Sequence, residues 1–248
     1  MTEPARPALR AARTLAVVGV IGLGGLLALR ELTAERIAAR EREAAIAAIA
    51  ALLPRGVDND PNGDAVRVHA PAWLGSDDAM TVRRARGDGE LRGLLVEAVA
   101  PDGYNGDIRL LLGVAVPGTE GGRQHPGAER PTIVGVRVVE HRETPGLGDY
   151  IDAARSAWID QFDGRSLRDP ALDAWRVERD GGRFDAVAGA TISARAVVDA
   201  TRRALQFVDA HAAAVGGAAA GTTLHFTDAP PFDAGADGRA RPTEGSPP

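Results

Sequence analysis

From Thr14 to Leu29 no side chain is charged, and Arg13 and Arg30 bracket the run. As a helix rising about 1.5 Å per residue it covers roughly 24 Å, slightly short of a hydrocarbon core of about 30 Å. Arginine stems at both ends close that gap by snorkelling, so residues 14–30 are expected to form a retained single-span anchor. The rival is a cleaved signal peptide whose basic n-region holds Arg6, Arg10 and Arg13, although no Ala-x-Ala site follows; a buried soluble helix is the third reading. Three arginines against Glu3 keep residues 1–13 in the cytoplasm by the positive-inside rule. Everything after the span then lies outside it.

Composition narrows the chemistry of that outer portion. All 29 basic residues are arginine and cysteine is absent, which excludes a P-loop lysine, a Schiff base, thiolate metal sites and iron–sulfur ligation. A chain of this kind handles electrons only through a borrowed organic cofactor. The formal net charge of −5 argues against a nucleic-acid partner.

Within the outer portion, a helix is expected from about Thr33 to Leu53, ended by Pro54. Leu94 to Val99, Ile108 to Val116 and Ile133 to Val139 are Leu-rich or β-branched runs bounded by Gly, Pro and Asp, and read as strands. Trp175 and Val177, alternating with Arg176 and Glu178, suggest a fourth. Ile151, Ala154, Trp158, Ile159 and Phe162 fall on one face of an expected helix, and a last helix follows Ser193 as N-cap, with Val197, Thr201, Leu205 and Val208 inward. Strands and helices are mixed without strict alternation, so the fold class is α+β. Residues 31–210 form the main domain, and the Ala/Gly/Pro-rich stretch 211–248 is expected to be a flexible tail.

Two segments carry chemistry. Asp185 to Thr191 reads Asp-Ala-Val-Ala-Gly-Ala-Thr and opens the last helix; Gly189 and Ala190 strip bulk from around the Thr191 hydroxyl, and the helix start suits a phosphate. His141 to Asp149 leaves a strand and brings Pro145, Gly146 and Gly148 together, a loop able to lay backbone amides against a ligand. Its Gly-Leu-Gly lacks the third glycine of a dinucleotide fingerprint. Each segment alone is also readable as an ordinary turn.

Taken together, Asp102-Gly103-Tyr104-Asn105-Gly106, Ile108-Arg109-Leu110-Leu111, His141 to Gly148, Asp180 to Asp185 and Gly189-Ala190-Thr191-Ile192-Ser193 resemble the G subunit of the Rnf electron-transport complex. The resemblance runs from the apolar span to about Leu205. It implies a single-pass bacterial inner-membrane protein whose FMN-binding domain of mixed sheet and helices lies on the periplasmic side. It further implies FMN joined covalently, by a phosphoester bond, to Thr191. The flavin transferase of that family would recognise Asp185, Gly189, Ala190 and Thr191, with Ala188 standing where a hydroxyl residue is usual. Glu143, Thr144, Gly146, Leu147 and Gly148 are expected on the isoalloxazine side; Gly189, Ala190, Ile192 and Ser193 are expected around the phosphate. No residue is assigned a catalytic or metal-binding role, and the partners implied are the other subunits of the complex.

The C subunits of sodium-translocating NADH:quinone oxidoreductase share Glu-Thr-Pro-Gly-Leu-Gly and the linked flavin, but carry a Gly-Leu-Trp segment where this chain has Asp102 to Gly106. A non-redox periplasmic ligand-binding or scaffold ectodomain is the other alternative. Under the preferred reading the chain is an electron-transfer subunit and not a self-contained enzyme.

Overall fold

The computed structural model describes residues 49–117 and 130–231, together with 13, 15–19, 22–24 and 30. The chain divides into two units, Met1–Ala50 and Ala51–Pro248. In the first, the described stretches 15–19 and 22–24 are helical, and no helix among the described residues is long and apolar enough to cross a membrane. Most of the expected 14–30 span and of the helix from Thr33 lies outside the described residues.

The second unit is a mixed α+β domain around a six-stranded sheet. Its strands are β1 (Ala65–His69), β2 (Met80–Gly87), β3 (Glu90–Ala100), β4 (Ile108–Ala115), β5 (Thr132–Glu140) and β6 (Thr223–His225), in the order β5-β4-β3-β2-β1-β6. All neighbours are antiparallel except β1 and β6. Asp88 and Gly89, with φ of 54° and 79°, make the two-residue turn between β2 and β3. Positive φ at both positions gives the primed turn whose twist matches the strands it joins.

A short helix, α1 (Pro71–Leu74), follows β1, and the long helix α2 (Thr191–Gly217) lies across β3, β4 and β5. Its Ala194, Val197, Val198, Ala204, Leu205 and Val208 are buried against the sheet. Full burial of each Val or Leu contributes roughly 1.5–3 kcal/mol, so this face fixes where the helix begins. On the sheet, the cross-strand pair Gly113 and Gly135 leaves a slot for Leu52. A Cβ on Gly113 would come within 1.9 Å of the Leu52 carbonyl oxygen.

The three expected strands coincide with β3, β4 and β5, and the inward face of α2 is the expected one. Four expectations are corrected. Trp175 and Val177 are buried, as alternation implies, but they sit between 3-10 turns at Leu172–Ala174 and Glu178–Asp180, and Val177 forms only an isolated bridge with Phe184. Aromatic packing sets that path: Trp175 and Phe184 centroids are 4.8 Å apart, and the Trp175 indole donates to the Pro170 carbonyl.

The expected helix over 151–162 is instead two 3-10 turns, Asp149–Ile151 and Ala157–Phe162, with Ala154 exposed between them. Ser156 makes the break by donating to the Tyr150 carbonyl while accepting from the Trp158 amide. Ser193 is not the cap of α2, which begins two residues earlier with Ala190 at the N-cap position. Finally, residues 211–231 are not a loose tail. Val215 is buried within α2, β6 pairs with β1, and Phe226 packs on Phe207 and His211. Alanine-rich sequence is a strong helix former, and here its helix end is also held from outside.

Candidate cofactor-binding site

The loop after β5 and the N-terminus of α2 converge at one end of the sheet. Gly146, with φ of 75°, bends the first loop, and its amide donates to the buried Asp149 carboxylate at 2.8 Å. The Leu147 and Gly148 amides both return to the Thr144 carbonyl. This closes the loop on itself and leaves Leu147 pointing outward, exposed.

The second loop runs from Asp185 to Ala190. The Trp158 indole holds the Asp185 carbonyl at 2.8 Å, and the Gln161 amide oxygen accepts from the Asp185 N–H. Gly189 turns with φ of 89°, which delivers Ala190 to the N-cap and Thr191 to the first helical position. Thr191 is half-buried, while Ile192 beside it is exposed.

Alanine has no side-chain acceptor, and no side chain among the described residues caps the N-terminus of α2. Among the described residues the first-turn N–H groups therefore meet no side-chain acceptor, and the helix dipole favours an anionic one. A phosphate fits both requirements. The planar remainder of a flavin calls for apolar surface. Among the described residues outside the first unit, the exposed large hydrophobics are Tyr104, Val139, Leu147, Val187 and Ile192. Tyr104, Leu147 and Val187 lie on loops entering the site, Ile192 is in the first turn of α2, and Val139 is the penultimate residue of β5. Solvated hydrophobics gathered at one end mark a binding surface.

Of the residues expected around a ligand, Leu147 and Gly189 come together: a Cβ on Gly189 would sit 3.8 Å from Leu147 Cδ1. Thr144 is exposed, its hydroxyl accepting from the Asn105 amide at 3.1 Å. Glu143, expected on the ring side, and Ser193, expected around the phosphate, meet each other. Both are buried, and the Ser193 hydroxyl donates to Glu143 Oε2 at 2.6 Å.

Tyr150, Asn105, Asp149, Trp158 and Gln161 were not expected among the residues that shape the site. Tyr150 is the most consequential, since its hydroxyl donates to the Ala190 carbonyl and accepts from the Val187 amide. Burial pushes its phenol above the ordinary tyrosine range, with the Val187 hydrogen bond acting against that and the Glu143 charge adding to it. The signal available was a tyrosine beside Ile151 in the Asp-Tyr-Ile-Asp turn, whose hydroxyl needs a partner once buried.

A family model described as an FMN-binding domain matches residues 127–206, which include both loops and the first half of α2. The G subunit of the ion-translocating oxidoreductase complex of Pseudomonas aeruginosa (strain UCBPP-PA14) is 43% identical over 83% of this chain and 91% of its own length. The chain belongs to this family of G subunits. The proteins of the same name from Shewanella amazonensis and Vibrio vulnificus (strain YJ016) are 39% and 35% identical, over 75% and 80% of this chain and 80% and 88% of their own lengths.

Proposed function

We propose that this chain carries FMN joined to Thr191 by a phosphoester bond and relays electrons through it. It is a flavoprotein subunit of an ion-translocating oxidoreductase complex, by membership of its family and by the FMN-binding domain. The observation that carries the attachment point is the start of α2 at Thr191 behind an N-cap that cannot cap. Thr191 is a tether in this reading. Its hydroxyl oxygen stays with the phosphate through turnover, and the open amides of the first turn take part of the phosphate charge.

Bound FMN supplies one-electron exchange between partners that pass one or two electrons; the protein supplies position and potential. Leu147, Ile192 and Val187 offer apolar surface for the ring, and Thr144 a hydrogen-bonding hydroxyl beside it. Gly146 keeps that side open, since nothing lies within 4 Å of where its Cβ would be. Asp185 to Thr191 is the segment a flavin transferase would read. Its two ends are fixed by Trp158 and Tyr150 while Val187 to Gly189 stay exposed.

The rest of the reading places the domain on the periplasmic side of a bacterial inner membrane, anchored through residues 14–30. Leu15, Val17, Val18 and Leu23 are helical and exposed, apolar surface that a lipid environment would cover. Two experiments test the reading. The full chain, produced with a flavin transferase, should retain flavin fluorescence after denaturing electrophoresis, and Thr191→Ala should lose it; a fluorescent Thr191→Ala band sinks the attachment. A reporter active only outside the cytoplasm, fused after Pro248, should be active and membrane-bound.

A further inference from the structure

Glu143 is 4% exposed and, among the described residues, receives neutral donors: the Ser193 hydroxyl at Oε2, 2.6 Å, and the Asn105 N–H at Oε1, 3.2 Å. Among the described residues no arginine or histidine forms an ion pair with it. The surroundings are cut to its shape. A Cβ on Gly148 would approach Oε2 to 2.8 Å, and one on Gly103 would approach Oε1 to 3.0 Å. One carboxylate thus joins three segments, the β3–β4 loop through Asn105, the Gly-Leu-Gly loop in which it stands, and the first turn of α2 through Ser193.

Burying an unpaired charge costs several kcal/mol, and a neutral side chain could bridge the same groups more cheaply. The helix dipole offsets part of this cost, because Ser193 stands at the third position of α2. Adding an electron to a cofactor beside a fixed negative charge is electrostatically unfavourable, and in a poorly solvated site that charge is weakly screened.

We propose that Glu143 is a positioning residue that sets Thr191 in register with the Gly146–Gly148 loop, and that its buried negative charge lowers the reduction potential of the flavin carried there. This rests on the flavin reading above and adds to it a determinant of potential that does not touch the ring. Glu143 itself exchanges no electron.

Glu143→Gln separates charge from shape. The amide keeps the length of the side chain, its oxygen accepts from Asn105, and its NH2 donates to a Ser193 hydroxyl that turns round. The full-length wild-type chain and the variant are produced with the flavin transferase, checked by far-UV circular dichroism, and titrated potentiometrically. The expected result is attached flavin in both, with the variant's midpoint shifted to more positive potential. Equal midpoints overturn the proposal.

If Glu143→Gln does not fold, Ser193→Ala decides. It leaves the charge and removes its shorter hydrogen bond, so the midpoint should move negative and the yield of attached flavin should fall. A Ser193→Ala protein with unchanged midpoint and yield overturns the proposal. Absence of flavin from the wild-type chain overturns the flavin reading and this inference with it, whereas flavin in every protein at one common potential overturns this inference alone.

Discussion

The Tyr150 hydroxyl donates to the Ala190 carbonyl at 3.2 Å, tying the segment after the Gly-Leu-Gly loop to the residue just before Thr191. The same oxygen accepts from the Val187 amide at 3.4 Å. Its ring meets Trp158 edge-on at 5.3 Å, and Trp158 holds Asp185. Tyr150→Phe keeps the ring contact and removes two hydrogen bonds, to the Ala190 carbonyl and from the Val187 amide, each worth about 0.5–1.5 kcal/mol. A lower melting temperature and slower flavin attachment are expected, read by a thermal melt and a fluorescence time course. Unchanged attachment kinetics would show that Tyr150 does not pre-form the acceptor loop.

The burial that raises the Tyr150 phenol gives a second check. Its ionised form is the one disfavoured in the folded state, so folding loses stability as pH rises past the ordinary tyrosine value. Part of the phenolate absorbance should therefore emerge only at pH above that value or together with alkaline unfolding. Tyr150→Phe should remove that late component.

Much of the domain was legible because its central strands are apolar on both faces or nearly so. Leu94, Leu95, Val96 and Leu110, Leu111, Leu112 are buried in unbroken runs, which no helix pattern imitates over so short a length. Strands β1 and β2 escaped notice because arginine interrupts them. Arg84 is buried in the middle of β2, where a sequence gives no hint that a carboxylate and helix carbonyls await it. The site was legible as two glycine-bearing segments. Their mutual registration was not, because it depends on side chains such as Asn105 and Tyr150 that meet their partners only across 39 or 40 positions of chain. For the same reason the burial of Glu143, and its bond to the Ser193 hydroxyl, had no sequence signal.

Gly146 and Gly148 should respond to substitution for different reasons. At Gly146 the backbone is left-handed, which strains any side chain, but the space beyond is open. Gly146→Val is expected to retain covalent flavin while altering its visible absorption, because the added group enters the space assigned to the ring. Gly148→Ala meets Glu143 Oε2 at 2.8 Å and should instead lower stability and attachment yield. Identical flavin spectra for wild type and a folded Gly146→Val would remove that loop from the ring site.

The pair formed by Arg195 and Asp180 predicts an acid-side effect. Two hydrogen bonds, of 2.6 and 2.9 Å, from the guanidinium hold the Asp180 carboxyl below the ordinary carboxylate range. A depressed folded-state value means stability that is present above the unfolded aspartate pKa and is lost as pH falls through the folded one. Both side chains are partly solvated, so screening leaves the pair worth under about 1 kcal/mol. Asp180→Asn should melt slightly below wild type at neutral pH, and the difference should close below about pH 3, under the unfolded aspartate value of about 3.9. A gap that persists in acid would assign the effect to packing.

The far end of α2 gives the largest predicted loss. Arg84, 2% exposed, donates to the Val215 carbonyl at 3.2 Å and to the Ala218 carbonyl, while Arg86 donates to Gly216 at 2.6 Å. Asp64 pairs with both guanidinium groups, so one carboxylate orients two arginines onto the last carbonyls of the helix. Those carbonyls have no intrahelical donors, and cations there also oppose the negative end of the dipole. Arg84→Met preserves much of the bulk, removes the charge from a buried site, and leaves Asp64 with Arg86 and the Asn59 amide. Breaking a buried pair in this way costs about 3–5 kcal/mol. The expected outcome is a sharp drop in melting temperature with faster amide exchange over residues 211–225, because β6 is reached only through the helix end. Attached flavin at Thr191 should survive at temperatures where the domain remains folded, since that site lies at the opposite end of α2. Unchanged exchange over 211–225 would mean that the Ala-rich helix end holds by its own propensity and by the burial of Val215, without the arginines.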